Sequence, residues 1–367
     1  MDNNSVKVTK ETKNKIRVEF ERTSLKERLK AKFVTFTFLQ KVVWYVFRLI
    51  LLIGISYIVL FPFISKVASS FMSPNDFVDV TVRLIPKEPT LDTYKAIFVD
   101  NHYLEIFLNT FLLSVSTALL QMFICCLIGY GLAKFKFRGN KLIFALVVFT
   151  MIVPHQTLEY SMYLQFRYFD IFGIFQFLGG GGIELFGKTF LTGIDIFPNT
   201  GDWAKIFTDQ GLNINNSFWP LIILSLSGIA FKNGLYIFLL RQFFRGVPDE
   251  LEESAYIDGS NTLHTFLTII LPLSVPMLIT VFLFAFSWQW TDEFYTTVFF
   301  TNQKVLLMPD LYQTIPDSLE TNYAGQNMYE AAIRNTAGIM MILPLVIVYL
   351  FCQKFLVQGI ERSGITG

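Results

Sequence analysis

Charge is scarce in this 367-residue chain: Asp, Glu, Lys and Arg make up 16% of it, against about a quarter in a soluble domain. The formal net charge is only +1, which removes the electrostatic case for a nucleic-acid partner. Cysteine is down to three residues, Cys125, Cys126 and Cys352. They lie in apolar stretches at no zinc-like spacing, so they read as small packing residues rather than a disulfide framework or metal site. The three histidines, His102, His155 and His264, are too scattered to propose a metal site. No cluster of carboxylates and histidines gathers at one end of the apolar runs, as a membrane-embedded enzyme would need. What is abundant is hydrophobic surface: 53% of residues, with a mean hydropathy of +0.47, concentrated in long runs. That pattern marks a membrane protein.

Six runs approach the roughly 20 apolar residues a bilayer requires. They are about Val42 to Ile64, Ile106 to Leu132, Leu142 to Leu164 with a break near Pro154, Phe218 to Leu240, Pro272 to Trp288, and Thr336 to Phe355. Lipid cannot satisfy free backbone groups, so all six read as helices and the fold class is an all-α membrane protein. Residues 1–41 form a polar tail with no early apolar core or cleavage site, so they are not a secretory signal. Eleven Lys and Arg crowd this tail, from Lys7 to Lys41, and Lys134, Lys136, Arg138 and Lys141 crowd the loop two crossings later. The positive-inside rule places both in the cytoplasm, with the C-terminus on the same side. The tail reads either as a basic amphipathic helix near Ser24 to Thr35 or as a solvated, topology-setting segment that touches anionic lipid.

The segment Arg241 to Pro272 reads RQFFRGVPDELEESAYIDGSNTLHTFLTIILP. Pro248 can open a helix whose first turns carry Asp249, Glu250, Glu252 and Glu253, as the helix dipole favours. Gly259 ends that helix, and a second short one is expected from about Leu263 to Pro272. A pair of short helices lying at the inner membrane surface suits a groove on a partner. Glu252 and Glu253 taken alone read as solvated helix-start charges. Their spacing says more: Glu253, Ser254 and Ala255, three residues, Gly259, nine residues, then Ile269, Leu271 and Pro272.

This spacing resembles the EAA pattern of the importer permeases of the ATP-binding cassette class, with Ser254 where alanine is usual. The flanks FLLRQFFRGVPDELEESAYIDG and LPLSVPML are similar to the maltose-type carbohydrate permeases of binding-protein-dependent uptake. So are LIPKEPTLDTY, NTFLLSVSTALLQ, GYGLAKFKFRGNK and the C-terminal VQGIERSGITG. The likeness covers roughly residues 45 to 169 and 217 to 367. It implies a type I importer transmembrane domain over 42–367, with a coupling loop at 245–271. Glu252, Glu253, Ser254, Ala255, Asp258 and Gly259 would engage the ATPase. Glu253 would meet a basic residue, Ala255 would allow close docking, Gly259 would make the turn, and Asp258 would cap the second helix or hold that turn. The implied partners are a second homologous permease, two ATPase subunits, an extracytoplasmic solute-binding protein and an oligosaccharide. The chain would be no enzyme and would hold no cofactor, ATP and Mg being bound by the ATPase subunits. A permease for a non-sugar solute and a gradient-driven secondary carrier are the alternatives, and the sugar's charge and length stay open.

Two further segments stand out. Residues 182–189 match G-x-x-x-x-G-K-[ST], the phosphate-binding loop pattern. No hydrophobic strand precedes them and they fall on the outer side, so the match reads as chance. The stretch 170–216 is longer than the family needs, and is either an outer elaboration or a surface for the solute or its binding protein. For the translocation path, polar groups at membrane depth are the candidates: His155, Gln156 and Glu159, Asn233, Ser287 and Gln289, with Trp288, Trp290 and Tyr295 near the outer mouth. Arg48 and Lys232 read instead as side chains snorkelling to the inner interface.

Overall fold

The computed structural model describes residues 7–11, 17–21, 36–171, 174, 183–185, 188–191, 207–208, 211–230, 232–302, 305–319 and 326–364. The expected helix near Ser24 to Thr35 and most of 170–216 lie outside them. Contacts divide the chain into two units, residues 1–68 and 69–367.

The first unit holds an antiparallel hairpin, β1 (Lys7–Glu11) with β2 (Arg17–Glu21), in which Lys7 faces Glu21. It also holds α1 (Phe36–Ser69), 34 residues long and thus about 50 Å at 1.5 Å per residue. Helix α1 is apolar around its circumference, as a lipid-immersed helix must be.

The second unit begins with α2 (Pro74–Val78), whose start is fixed by a capping box between Ser73 and Asp76. Next come α3 (Asp92–Asp100) and α4 (Tyr103–Lys134). Helix α4 is the spine of this unit. It buries Leu113, Ala118, Cys125 and Cys126 almost completely, and the helices Trp219–Ser227, Asn233–Arg245 and Leu271–Trp290 pack along it. At Gly129 a Cβ would lie 2.9 Å from the Cβ of Leu240 and 3.2 Å from the amide nitrogen of Arg241. Helices without a hydrophobic drive between them associate through such small residues.

The third run breaks at Pro154, as the sequence implied. Helix α5 (Asn140–Ile152) is followed by a 3-10 turn, His155–Leu158, and α6 (Glu159–Arg167). The two halves meet at 93°. Val153 before the proline is extended, as steric conflict with the ring requires.

Then follow β3 (Ile183–Leu185) and β4 (Lys188–Leu191), an antiparallel pair. Thr189 therefore sits in a strand, whereas a phosphate-binding loop would open a helix there. A second small pair, β5 (Phe207–Thr208) and β6 (Gly211–Leu212), leads to the fourth run.

That run is not one helix, which corrects the expectation of a single segment over Phe218 to Leu240. It is α7 (Trp219–Ser227) and α8 (Asn233–Arg245), with Gly228 left-handed at φ 76° and Lys232 at φ 71° between them. Glycine in that conformation ends a helix.

The loop after α8 forms α9 (Glu250–Ile257). A second correction follows: α10 (Thr262–Thr265) does not stop at Pro272. It runs through a π-helical turn, Phe266–Ile270, into α11 (Leu271–Trp290), a continuous stretch of 29 residues. A π-turn ahead of a proline accommodates its missing N–H and its ring.

The chain ends in α12 (Phe294–Phe299), α13 (Met308–Leu311) and α14 (Gln326–Gly364). Among the described residues four helices are long and apolar enough to cross a membrane, or five if the bent pair counts as one span. One core gathers Tyr236, Phe244, Met277, Val281 and Trp290, and a second gathers Phe166, Leu221, Tyr295 and Phe299.

Candidate functional site

Two places gather the residues singled out by sequence. The first is the arm between α8 and α11. At 100° per residue, Glu252 and Ala255 share one face of α9 while Glu253, Ser254 and Ile257 share the other. The structure buries the first pair, at 8% and 7% exposed, and leaves Glu253, Ser254, Asp258 and Gly259 in the open. No basic side chain among the described residues ion-pairs with Glu253.

The buried face is clamped by a residue that sequence reading counted only among the cations of the inner loop. Lys134, the last residue of α4, lies 2.6 Å from Asp249 and 3.5 Å from Glu252, and donates to the carbonyl of Val247 at 2.7 Å. Only 7% of its side chain is exposed. The Tyr130 hydroxyl donates to the second Glu252 oxygen at 3.4 Å. The hydrogen bond from Lys134 holds the Asp249 carboxyl below the usual carboxylate range.

Gly259 makes the turn with φ 87°, a region closed to most side chains. The cap of the second helix is Asn261, whose Oδ1 accepts from the His264 amide at 2.8 Å. Asp258 is not that cap: it closes the first helix next to Gly259, its amide bonded to the Ser254 carbonyl, which leaves the other expected role, holding the turn. Asn three residues ahead of a helical amide was a readable cap signal. Leu251, Ser254, Asp258, His264, Thr268 and Ile269 line a groove of about 570 Å³ on the open side.

The second place is the break between α7 and α8. On one side of it, Gln121, Ser225, Trp288, Gln289, Asp292 and Tyr295 line a narrow cleft of about 10 Å³. Gln121 donates to the Ser225 hydroxyl at 3.3 Å. Burial pushes the Asp292 carboxyl up to about 7, although its oxygen caps α12 by accepting from the Tyr295 amide at 2.9 Å. On the other side, Thr150, Met151, His155, Ala230, Lys232 and Leu235 line a cavity of about 120 Å³. Ala230 touches both spaces.

Lys232 does not snorkel to the interface as expected. Its ammonium instead sits 4.5 Å from the centroid of the Trp288 ring. A lone cation packed on an indole between two apolar helices is a candidate functional position. The sequence held that signal as a lone cation in the middle of an apolar run.

The remaining path candidates part company. Trp288, Gln289 and Tyr295 share the narrow cleft and His155 lines the wider cavity. Gln156 and Glu159 are exposed beyond the Pro154 bend. The Ser287 carbonyl accepts from the Thr291 hydroxyl at 3.1 Å. Trp290 is fully buried and its indole donates to the Met341 carbonyl at 2.9 Å, so it packs α11 on α14 instead of lining a cavity. Asn233 is also fully buried, and neither side-chain polar atom meets a hydrogen-bond partner among the described residues.

Comparison with known proteins places this architecture. The chain is 27% identical over 315 residues to the polygalacturonan/rhamnogalacturonan transport system permease protein of Bacillus subtilis (strain 168), spanning 83% of this chain and 92% of that one. It is 25% identical over 325 residues to the galactooligosaccharides transport system permease protein of the same organism, spanning 88% and 95%. It is 25% identical over 332 residues to the maltodextrin transport system permease protein, also of Bacillus subtilis (strain 168), spanning 90% and 97%. A crystal structure of a bacterial ABC transporter involved in the import of the acidic polysaccharide alginate shares the fold at a TM-score of 0.60 and 20% identity, covering 91% of this chain and 99% of that one. Residues 126–362 match the family described as binding-protein-dependent transport system inner membrane component, and the chain belongs to that family.

Proposed function

We propose that this chain is one of two permease subunits of an ATP-driven oligosaccharide importer. In this reading it has six spans, counting α5 with α6 and α7 with α8 as one each, and both termini are cytoplasmic. The basic residues Lys134, Lys136, Arg138 and Lys141 support that orientation, because cations accumulate on the inner side. A second, homologous permease completes the pore, two ATPase subunits bind ATP and Mg, and an outer binding protein delivers the sugar. The relatives named above carry neutral or acidic sugars, so they leave the charge of the solute open. The same reading assigns no bond chemistry to this chain.

One observation carries the coupling role. Helix α9 turns Glu252 inward to Lys134 while Glu253, Ser254 and Asp258 stay open around a groove. An acidic, rigidly anchored elbow can pass force from a docked ATPase to α4 through Lys134 and to α11 through the unbroken helix. Glu253→Arg tests it. The reconstituted transporter should lose at least nine-tenths of ATP-driven uptake while the chain still inserts in the membrane. Uptake that survives both Glu253→Arg and Gly259→Pro would point to a gradient-driven carrier and end this account.

A further inference from the structure

We propose that the break in the fourth span binds a carboxylate of the moving solute, so that this chain favours sugar acids over neutral sugars. This rests on the oligosaccharide-permease reading and adds the charge of the substrate to it.

Four observations converge. First, both ionisable side chains on the wall of the 120 Å³ cavity, Lys232 and His155, are bases. The cavity is well above the 10–15 Å³ that one water needs on this scale, so it admits a carboxylate with solvent. Secondly, the backbone at Lys232 is left-handed, a conformation uncommon for a residue with a side chain. The ammonium reaches across the break to the Trp288 ring. Thirdly, Lys232 stands at the head of α8, and no side chain caps that helix. The amides of the first turn and the helix dipole add positive potential at the same point. Fourthly, Trp288, which lines the cleft on the other side of the break, is 48% exposed and holds the ammonium 4.5 Å from its ring centroid, so the cation stands between an indole and the cavity.

A carboxylate complements an ammonium, an imidazole and helix-start amides together. A uronic acid presents that carboxylate on a ring whose C–H face can lie against an indole. A neutral hexose offers the ring without the charge that Lys232 and His155 can attract. Discrimination therefore follows from the charge at the break.

The test uses the complete transporter in liposomes, with galactotriose and tri-galacturonate as probes of equal length. Wild type should take up tri-galacturonate at least tenfold faster than galactotriose. Lys232→Met should lower that ratio at least tenfold, and Lys232→Arg should keep most of it. Should the Lys232→Met complex fail to assemble, competition on wild type decides: galacturonate should inhibit uptake and galactose should not. A wild type that prefers galactotriose, a ratio untouched by Lys232→Met, or equal competition overturns the acidic assignment and leaves the permease reading standing. A wild type that moves neither probe overturns both.

Discussion

Lys134 shows how much one side chain can decide. It is shielded from solvent and meets Glu252, itself nearly buried. Removing one partner of a buried pair leaves an uncompensated charge and costs about 3–5 kcal/mol. Lys134→Met should therefore lower the thermal midpoint of the purified chain and reduce uptake. Lys134→Met with Glu252→Gln should recover part of the midpoint, because the stranded charge is gone. An unchanged midpoint in the single variant would remove the clamp from the coupling account. Asp292 makes a second prediction at this scale. Burial raises its folded pKa from 3.8 to about 7. The folded state thus keeps a proton that the unfolded chain releases, so the group's contribution to stability falls as pH rises from about 4 to 7 and is flat above. Between pH 5 and 8 the midpoint of Asp292→Asn should decline less than that of wild type. Parallel curves would mean that Asp292 titrates normally.

At the scale of elements, hydropathy located the long helices and Pro154 marked the break in the third run, but the interruptions of the fourth run and of the stretch before Pro272 were missed. Helices α1, α4, α11 and α14 stand where apolar runs of sufficient length stood. The fourth run was different, because its composition stays apolar straight through the break and only Gly228 and Lys232 betray it. The short helix after Gly259 was misread for the opposite reason: Pro272 looked like a stop, and the π-turn at Phe266–Ile270 absorbs it. Helix α9 and its turn at Gly259 were legible, since Pro248, the acidic first turns and the glycine each carry a local physical meaning. Packing makes its own prediction. Gly129 lets α4 meet α8 at backbone distance, so Gly129→Val should cost about 1–3 kcal/mol through overpacking. Thermal unfolding in detergent measures it, and no loss would mean the two helices slide apart freely.

For the whole molecule, sequence was enough to determine a multi-pass membrane protein of the binding-protein-dependent transport family. Both conclusions rest on linear quantities, the length of apolar runs and the spacing of a loop motif, and these survive without coordinates. Contacts between distant residues needed the tertiary structure. Lys134 and Asp249 are 115 positions apart, and Lys232 and Trp288 are 56 apart by their numbering. Nothing in the spacing of either pair announces a partnership. The fold decided that Glu252 turns inward while Glu253 faces out, and that a lysine expected to reach for the interface lies against a tryptophan instead. The physical reason is that hydropathy reports what a segment is dissolved in, whereas a charge inside the bundle is governed by which neighbours the packed helices bring to it.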